Sequence, residues 1–305
     1  MSSPAKQQDD DPVWMQREER GSSFWLGVMT RLSLMLGRTV TRPVLYGIAL
    51  YFALFGRAER QAAKIYLLRC LGRPVGWRDY YRHVLAFSTT IHDRVFLLND
   101  QFDRFRIELI GADELHAEYD NGRGILLLGA HLGSFEVLRA LVRKNPRLKM
   151  SMAMYPENAQ RINGALAAIN PQAMQDIIPL GTLDAMLGVS RKLDEGAFVG
   201  LLADRAAGPN QYQALPFLGA PAQFPVGPFR LAAMLKRPVY FMAGVYCGGN
   251  RYAVHFERLE DFSSPFENRD AAILSLMQKY AAVLERYCRE YPYNWFNFFD
   301  FWQQH

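Results

Sequence analysis

The feature that most constrains the fold is a short apolar run, Gly-Ile-Leu-Leu-Leu-Gly at residues 124–129, followed at once by an amphipathic helical pattern over residues 135–144. A continuous apolar run of this length is typical of a strand buried on both faces of a sheet. The same rhythm recurs with apolar runs at residues 148–155, 197–203 and 238–247. This alternation predicts an α/β fold with a mixed central sheet flanked by helices.

The first hundred residues follow a helical period instead, with apolar residues spaced by three and four. The pattern predicts helical segments at residues 14–55, with breaks near Gly37 and Pro43, at 57–71 and at 77–99. The chain therefore divides into a disordered tail (residues 1–11), a helical N-terminal region (12–104) and an α/β catalytic core (105–305).

Positive charge is concentrated in the helical region. Residues 12–106 hold 15 Lys and Arg against 7 Asp and Glu, whereas residues 107–305 hold 19 against 20. Such a surface fits anionic lipid headgroups, an acidic protein partner or nucleic acid. The apolar residues 43–56 favour lipid, because arginine and aromatic residues at their margins are the anchors of a helix resting on a bilayer. This run is shorter than the roughly 20 residues that a spanning helix needs. We therefore expect a membrane-apposed N-terminal region and no nucleic-acid partner.

The positions of the cysteines argue against a disulfide-stabilised domain and against a zinc-binding domain. Cys70, Cys247 and Cys288 are far apart and form no C-x-x-C pair. Neither a disulfide framework nor a zinc site is indicated, and a reducing cytosolic setting is the default.

The stretch Ala-His-Leu-Gly-Ser-Phe-Glu, residues 130–136, carries the candidate chemistry. It lies where a buried strand ends and a helix begins, the place where open α/β sheets bind ligands. Gly133 permits a turn and Ser134 is a suitable N-cap, so that Glu136 can reach back to the imidazole of His131. A neutral imidazole accepts the proton of an attacking hydroxyl or amine, and a carboxylate on its other nitrogen fixes the tautomer.

This stretch resembles the H-x4-D/E motif of the lysophospholipid acyltransferase superfamily, in the H-x4-E form of the bacterial lipid A late acyltransferases. Residues 215–232, with their Phe-x-Gly turn and Pro-x-Gly-Pro step, resemble a second signature of these enzymes. The similarity covers roughly residues 14–302. It looks closest to a branch associated with aryl-polyene and fatty-acid-like synthesis, which begins Glu-Arg-Gly-Ser and ends Tyr-Pro-Tyr-Asn-Trp-Phe-Asn-Phe-Phe-Asp-Phe-Trp.

The resemblance implies a glycerophosphate-acyltransferase-like fold and two further site residues. Arg161 stands where relatives place an arginine that binds a phosphate or positions the acyl donor, and a solvated surface arginine is the alternative. Asp204 stands where relatives keep an Asp near the catalytic pair, although a strand-end Asp also caps turns. With Gly133 and Ser134 these are the candidate substrate-binding residues. Arg205 replaces the glutamine of many lipid A enzymes.

Two aromatic stretches have a structural and a functional interpretation. The Pro-, Gly- and Phe-rich residues 216–228 are expected either to line an acyl-chain groove as a loop or to pack in the core. The six aromatic residues between positions 295 and 302 are expected to pack under the sheet rather than to enter lipid.

We therefore expect an acyltransferase on the cytoplasmic face of the bacterial inner membrane, held peripherally or by a single anchor. It would move a fatty or polyene acyl group from an acyl carrier protein or CoA thioester to a hydroxyl or amine of a lipid or glycolipid. His131 would be the general base and Glu136 its orienting carboxylate, with no metal or organic cofactor. The rival classes are a lipid-directed glycosyltransferase and a non-catalytic lipid-binding protein. The one D-x-D motif lies in residues 9–11.

Overall fold

The apolar runs of the sequence form strands in the computed structural model, which describes residues 23–144, 147–154, 169–170, 177–205 and 211–303. The strands are β1 (Arg106–Ile110), β2 (Ile125–Gly129), β3 (Met150–Met154), β4 (Ile177–Pro179), β5 (Phe198–Leu202), β6 (Tyr212–Phe217), β7 (Ala220–Pro225), β8 (Pro238–Tyr246) and β9 (Arg251–Asp261). Seven of them form one sheet in the order β1-β9-β8-β2-β5-β3-β4. The five from β8 to β4 are parallel to one another, whereas β9 and β1 run the opposite way.

Helices lie before the sheet in sequence and between its strands. They are α1 (Ser23–Leu36), α2 (Arg38–Phe55), α3 (Arg57–Leu71), α4 (Trp77–Leu98), α5 (Ala112–Asp120), α6 (Glu136–Lys144), α7 (Leu183–Asp194), α8 (Gly227–Leu235) and α9 (Arg269–Glu290). The prediction of a mixed α/β fold is confirmed, with a mostly parallel central sheet flanked by helices.

The central strands are continuously apolar because helices cover both faces of the sheet. Successive side chains of a strand point to opposite faces. On β2, Leu126 and Leu128 enter a core cluster shared with α3, α7, α8 and α9, whereas Ile125 and Leu127 enter a second cluster shared with α4, α5 and α6. All four side chains are fully buried. The strand therefore carries no polar residue until it leaves the sheet.

The break predicted at Gly37 is present, but the break predicted at Pro43 is wrong. Gly37 adopts a φ of 80° between α1 and α2, a conformation that favours glycine. α2 continues through Pro43. The proline removes one helical hydrogen bond, and the packing of α2 against α4 compensates for that loss. Ala49 and Ala53 of α2 bury against Val84 of α4 in a small core of their own.

Among the described residues, no single helix combines the length and apolarity of a membrane span. α2 and α3 together have that length and composition, but the chain bends by 93° between them.

The predicted apolar loop at residues 216–228 is a β-hairpin followed by the start of α8. Leu218 and Gly219 both have positive φ, at 48° and 80°, which is the conformation of a tight hairpin turn between β6 and β7. Phe217 and Phe224 are fully buried in the core. These residues therefore pack inside the molecule. The short strand β4 and helix α7 were not predicted.

The C-terminal aromatic residues pack against the sheet, as predicted. Trp295, Phe296 and Phe301 are buried. The Trp295 ring contacts Phe301 at 4.9 Å and Tyr66 of α3 at 5.0 Å between ring centroids. This packing brings the end of the chain to the edge of the sheet where β2 ends.

Candidate active site

Two polar side chains follow neighbouring parallel strands at one edge of the sheet. β2 and β5 pair in register, with Gly129 opposite Leu202. The backbone N–H of Ala203 donates to the Gly129 carbonyl at 2.9 Å, so the pairing extends beyond the strands. His131 and Asp204 each lie two residues past this pair. The register therefore brings these two side chains, 73 positions apart in sequence, together.

The Asp204 carboxylate holds His131 through both of its oxygens. His131 Nδ1 lies 2.9 Å from Asp204 Oδ1, and the His131 backbone N–H donates to Oδ2 at 3.0 Å. The Asp204 side chain is fully buried, whereas that of His131 is 35% exposed. An ionised carboxylate can only accept hydrogen bonds, so Nδ1 carries the proton and Nε2 has a free lone pair. The imidazole therefore offers Nε2 as a base.

The surroundings favour a neutral imidazole beside an ionised carboxylate. Burial lowers the pKa of His131 and the charge of Arg205 lowers it further, while Asp204 partly opposes both. Burial alone would raise the pKa of Asp204, but the charge and hydrogen bonds of His131, together with Arg205, outweigh it and hold that pKa well below its usual range. Near pH 7 the pair is therefore neutral His and charged Asp.

Gly133 makes the turn after His131 and allows the loop to touch β8. Its φ is 71°, and a Cβ at this position would lie 2.0 Å from the carbonyl oxygen of Gly244. The next residue donates its backbone N–H to the same carbonyl, from Ser134 to Gly244 at 2.7 Å. This close approach is possible only because both facing residues lack a side chain.

Ser134 is not the N-cap that the sequence suggested. α6 begins at Glu136, and the Phe135 carbonyl accepts from the N–H groups of Leu138 and Arg139. Among the described residues, the buried Ser134 Oγ has no hydrogen-bond partner. The Ser134 backbone is instead used in the bridge to β8, which delays the helix.

Glu136 faces α4 rather than the imidazole. Its Oε2 accepts from Arg139 Nη1 at 3.2 Å, and its Oε1 lies 3.7 Å from Arg94 Nε. These contacts replace the predicted His131–Glu136 contact, and the carboxylate on the ring is that of Asp204. The physical reason is the position of Glu136 at the first residue of α6, where its side chain points toward the helix packed beside it.

Residues 295 and 296 also contact the catalytic candidates His131 and Asp204. The Trp295 indole Nε1–H donates to Asp204 Oδ2 at 3.0 Å, and the Phe296 N–H donates to the His131 carbonyl at 2.8 Å. The Phe296 carbonyl accepts from Arg205 Nη2 at 2.8 Å. From its sequence, this segment is expected only to pack through its aromatic residues. No local sequence pattern could predict these contacts, because Asp204 and His131 lie about 90 and 160 positions away from this segment.

Arg161 lies outside the described residues, so its predicted role stays a prediction. Asp204 and Gly133 lie at the site with His131, and Ser134 lies beside it. Arg205 also reaches this region, with its guanidinium 5.0 Å from the ring centroid of Phe299.

A histidine with a free ring nitrogen and a buried aspartate meet at one edge of the α/β sheet. The arrangement can take a proton from a hydroxyl or amine near pH 7 and stabilise the imidazolium that forms. The model of the bacterial lipid A biosynthesis acyltransferases matches residues 15–304, and the chain belongs to this family.

Membership of this family identifies the chain as an acyltransferase and indicates acyl transfer to a lipid acceptor. It therefore sets aside the glycosyltransferase and the non-catalytic lipid-binding protein. Among curated proteins, the sequence has no significant match.

Proposed function

We propose that this protein transfers an acyl group from a carrier thioester to a hydroxyl or amine of a lipid, with His131 as general base and Asp204 as its orienting carboxylate. One observation carries the proposal: Asp204 Oδ1 lies 2.9 Å from Nδ1 of an imidazole that is itself partly exposed. The opposite ring nitrogen is thereby left for the acceptor.

The reaction conserves its proton through His131. Nε2 takes the proton of the acceptor O–H or N–H as the acceptor attacks the thioester carbonyl carbon. The tetrahedral intermediate collapses with cleavage of the C–S bond, and the imidazolium returns its proton to the departing thiolate. The products are the acylated lipid and the free thiol of the carrier. The Asp204 carboxylate stabilises the imidazolium between the two steps.

Direct attack fits the environment of the cysteines better than an acyl-enzyme intermediate. Burial raises the pKa of Cys70 to about 11 and raises that of Cys288 well above the ordinary thiol value. Burial also raises the pKa of Cys247. A thiol must ionise to be a strong nucleophile, so these side chains are poorly suited to accept the acyl group.

Membrane apposition is proposed for the helical region, residues 12–104, with catalysis in residues 105–305. The support is a set of apolar side chains exposed along α1 and α2, namely Leu32, Met35, Leu36, Val40, Val44, Leu50, Tyr51, Leu54 and Phe55. Exposed apolar surface of this extent is typical of a lipid or protein contact. An enzyme with a lipid acceptor gains access to it by resting on the cytoplasmic face of the inner membrane.

The donor is proposed to be the thioester of an acyl carrier protein, with CoA as the alternative, and the acyl group to be fatty or polyene. The resemblance to the branch linked with aryl-polyene synthesis and the positive charge of the helical region support this choice. Arg161 is proposed to bind a phosphate or to position the acyl donor. Gly133 and Ser134 are proposed to shape the substrate side of the His131 loop.

Thioester consumption by purified variants tests the function. We expect His131→Ala to lower turnover by about 10²–10⁴ and Asp204→Asn to lower it strongly, with folding retained in both. His116→Ala is the matched control, because His116 is an exposed histidine on α5. Equal turnover by His131→Ala and the parent enzyme would overturn the proposed mechanism.

A further inference from the structure

Residues 294–296, here called the C-terminal strap, are fastened to the His131 loop and to β8. The Gly133 N–H donates to the Asn294 carbonyl at 2.8 Å, and the Phe296 N–H donates to the His131 carbonyl at the same distance. The Asn294 side chain accepts from the Tyr246 N–H at 2.7 Å and donates to the Tyr246 carbonyl at 3.2 Å. The strap therefore has a fixed position relative to the catalytic pair.

The Trp295 side chain at the centre of the strap is immobilised by aromatic packing. It is fully buried, with ring centroids 5.3 Å from Phe217, 5.0 Å from Tyr66 and 4.9 Å from Phe301. An indole enclosed in this way cannot rotate without displacing its neighbours. Its N–H therefore points permanently at Asp204 Oδ2, 3.0 Å away.

The two oxygens of Asp204 consequently have different tasks. Oδ1 faces His131 Nδ1, while Oδ2 accepts from the His131 backbone and from Trp295 Nε1. Two of these three contacts come from His131, the residue that the carboxylate has to orient. The third comes from an indole packed in the core, so it holds Oδ2 from a position that does not depend on His131.

We infer that Trp295 is a positioning residue for acyl transfer, whose indole N–H fixes the Asp204 carboxylate in the orientation that holds the His131 imidazole for catalysis. The inference rests on the proposed function of His131 and Asp204. It gives the aromatic end of the chain a task in the reaction in addition to packing.

The charge on the pair is set by groups from several elements. His131 feels Arg94 of α4 and Arg205 beside Asp204, both of which favour the neutral ring. Asp204 also faces Tyr280 and Cys288 of α9, and burial raises the pKa of both of these groups well above their ordinary values. Tyr280 and Cys288 therefore stay neutral over the pH range in which activity is measured. Removing the indole donor leaves more of the Asp204 charge to act on the imidazolium, so the pKa of His131 rises.

The test compares two tryptophans of the same aromatic cluster. Trp295→Phe keeps a large aromatic ring but removes the N–H that reaches Asp204. Trp302→Phe is the matched control, since its indole N–H donates to the Phe217 carbonyl at 3.3 Å and not to the catalytic pair. Both variants of the full-length chain are measured for kcat, KM, the pH profile and thermal unfolding.

We expect Trp295→Phe to lower kcat about tenfold with little change in KM, as loss of one hydrogen bond to a charged group implies. The acidic side of its pH profile should move to higher pH. Trp302→Phe should keep the kcat and the pH profile of the parent enzyme. The inference is overturned if the two variants have equal kcat and equal pH profiles, or if the rate of Trp295→Phe falls only in proportion to its unfolded fraction. A His131→Ala enzyme that retains turnover would remove the proposed function itself, and this inference with it.

Discussion

At the scale of single residues, the carboxylate that contacts His131 is selected by strand register rather than by a local motif. Asp204 reaches His131 because Gly129 and Leu202 are partners in adjacent strands. Glu136, five positions from His131, is used for ion pairs with Arg94 and Arg139. Each residue of the site can therefore be tested for the task that its contacts indicate.

The pH dependence of acyl transfer should show the state of His131. The base acts when neutral, and burial together with Arg205 lowers the pKa of His131 below its ordinary value of 6.5. As the pH falls through this lowered pKa the ring becomes charged and activity is lost. We expect kcat/KM to be level near pH 8 and to fall on the acidic side, with the midpoint of the fall below pH 6.5. A limb centred above pH 7 would contradict this assignment.

Substitution of Glu136 separates support of the fold from orientation of the base. Glu136→Gln removes the negative charge that faces Arg94 and Arg139, and the Glu136 and Arg139 side chains are almost completely buried. We expect unfolding free energy to fall by about 3 kcal/mol, as is usual when one partner of a buried ion pair is removed. Turnover of the folded fraction should fall less than in Asp204→Asn. Equal losses of turnover would instead place Glu136 beside the imidazole.

At the scale of elements, a buried ion pair attaches the apolar helix α2 to the core. Arg38 contacts Asp93 of α4 through two hydrogen bonds of 2.7 and 2.8 Å, and the Tyr252 hydroxyl of β9 donates to the same carboxylate at 2.8 Å. Arg38 also donates to the Gly249 carbonyl. The three elements are thus joined around one buried carboxylate, and α2 is held in a fixed orientation relative to α4 and β9.

Removal of this cation should destabilise the protein. Arg38→Met leaves the fully buried Asp93 without its counter-ion, and we expect unfolding free energy to fall by about 3–5 kcal/mol in urea titrations. Arg31→Met changes the exposed arginine of α1 and should alter it by about 0.5 kcal/mol or less. If both variants were equally stable, α2 would not depend on the ion pair.

At the scale of the whole molecule, one surface is apolar and the N-terminal region is positive. The protein should sediment with anionic vesicles and be released only partly by salt, because screening weakens charge but not apolar burial. The double variant Val44→Glu, Phe55→Glu should abolish the fraction of protein that stays on the vesicles at high salt. Leu274→Glu, at an exposed leucine of α9, should leave it unchanged. A parent protein that stays in the supernatant at low salt would refute membrane apposition.

Docking of an acidic carrier protein should depend on the arginines around the start of α4. Arg73 is engaged with Asp79 at 2.7 Å and Arg69 lies over the Trp302 ring, so exposed Arg78 is the suitable variant. Arg78→Glu should lower kcat/KM with an acyl carrier thioester about tenfold at low salt, and leave turnover of a small soluble thioester nearly unchanged. Arg191→Glu, at an exposed arginine of α7, is the control. Equal losses with both donors would contradict a docking role.

Much of the architecture was predictable because it depends on local patterns. Continuous apolar runs mark strands covered on both faces, and spacing by three and four marks the helices. The break at Gly37 follows from a backbone conformation that few other residues adopt. The continuation of α2 through Pro43 was not predictable, since packing of Ala49 and Ala53 outweighs one lost hydrogen bond.

The sequence by itself determined the α/β class, the position of His131 at a strand end and the resemblance to an acyltransferase family, because each depends on residues close together in the chain. Tertiary structure alone decided which carboxylate meets the imidazole. Asp204 reaches His131 from 73 positions away through strand pairing, and Trp295 reaches Asp204 from 91 positions away through aromatic packing. Such contacts depend on how the elements are arranged in space. The local spacing of His131 and Glu136 therefore could not show that the carboxylate on the imidazole belongs to Asp204 instead.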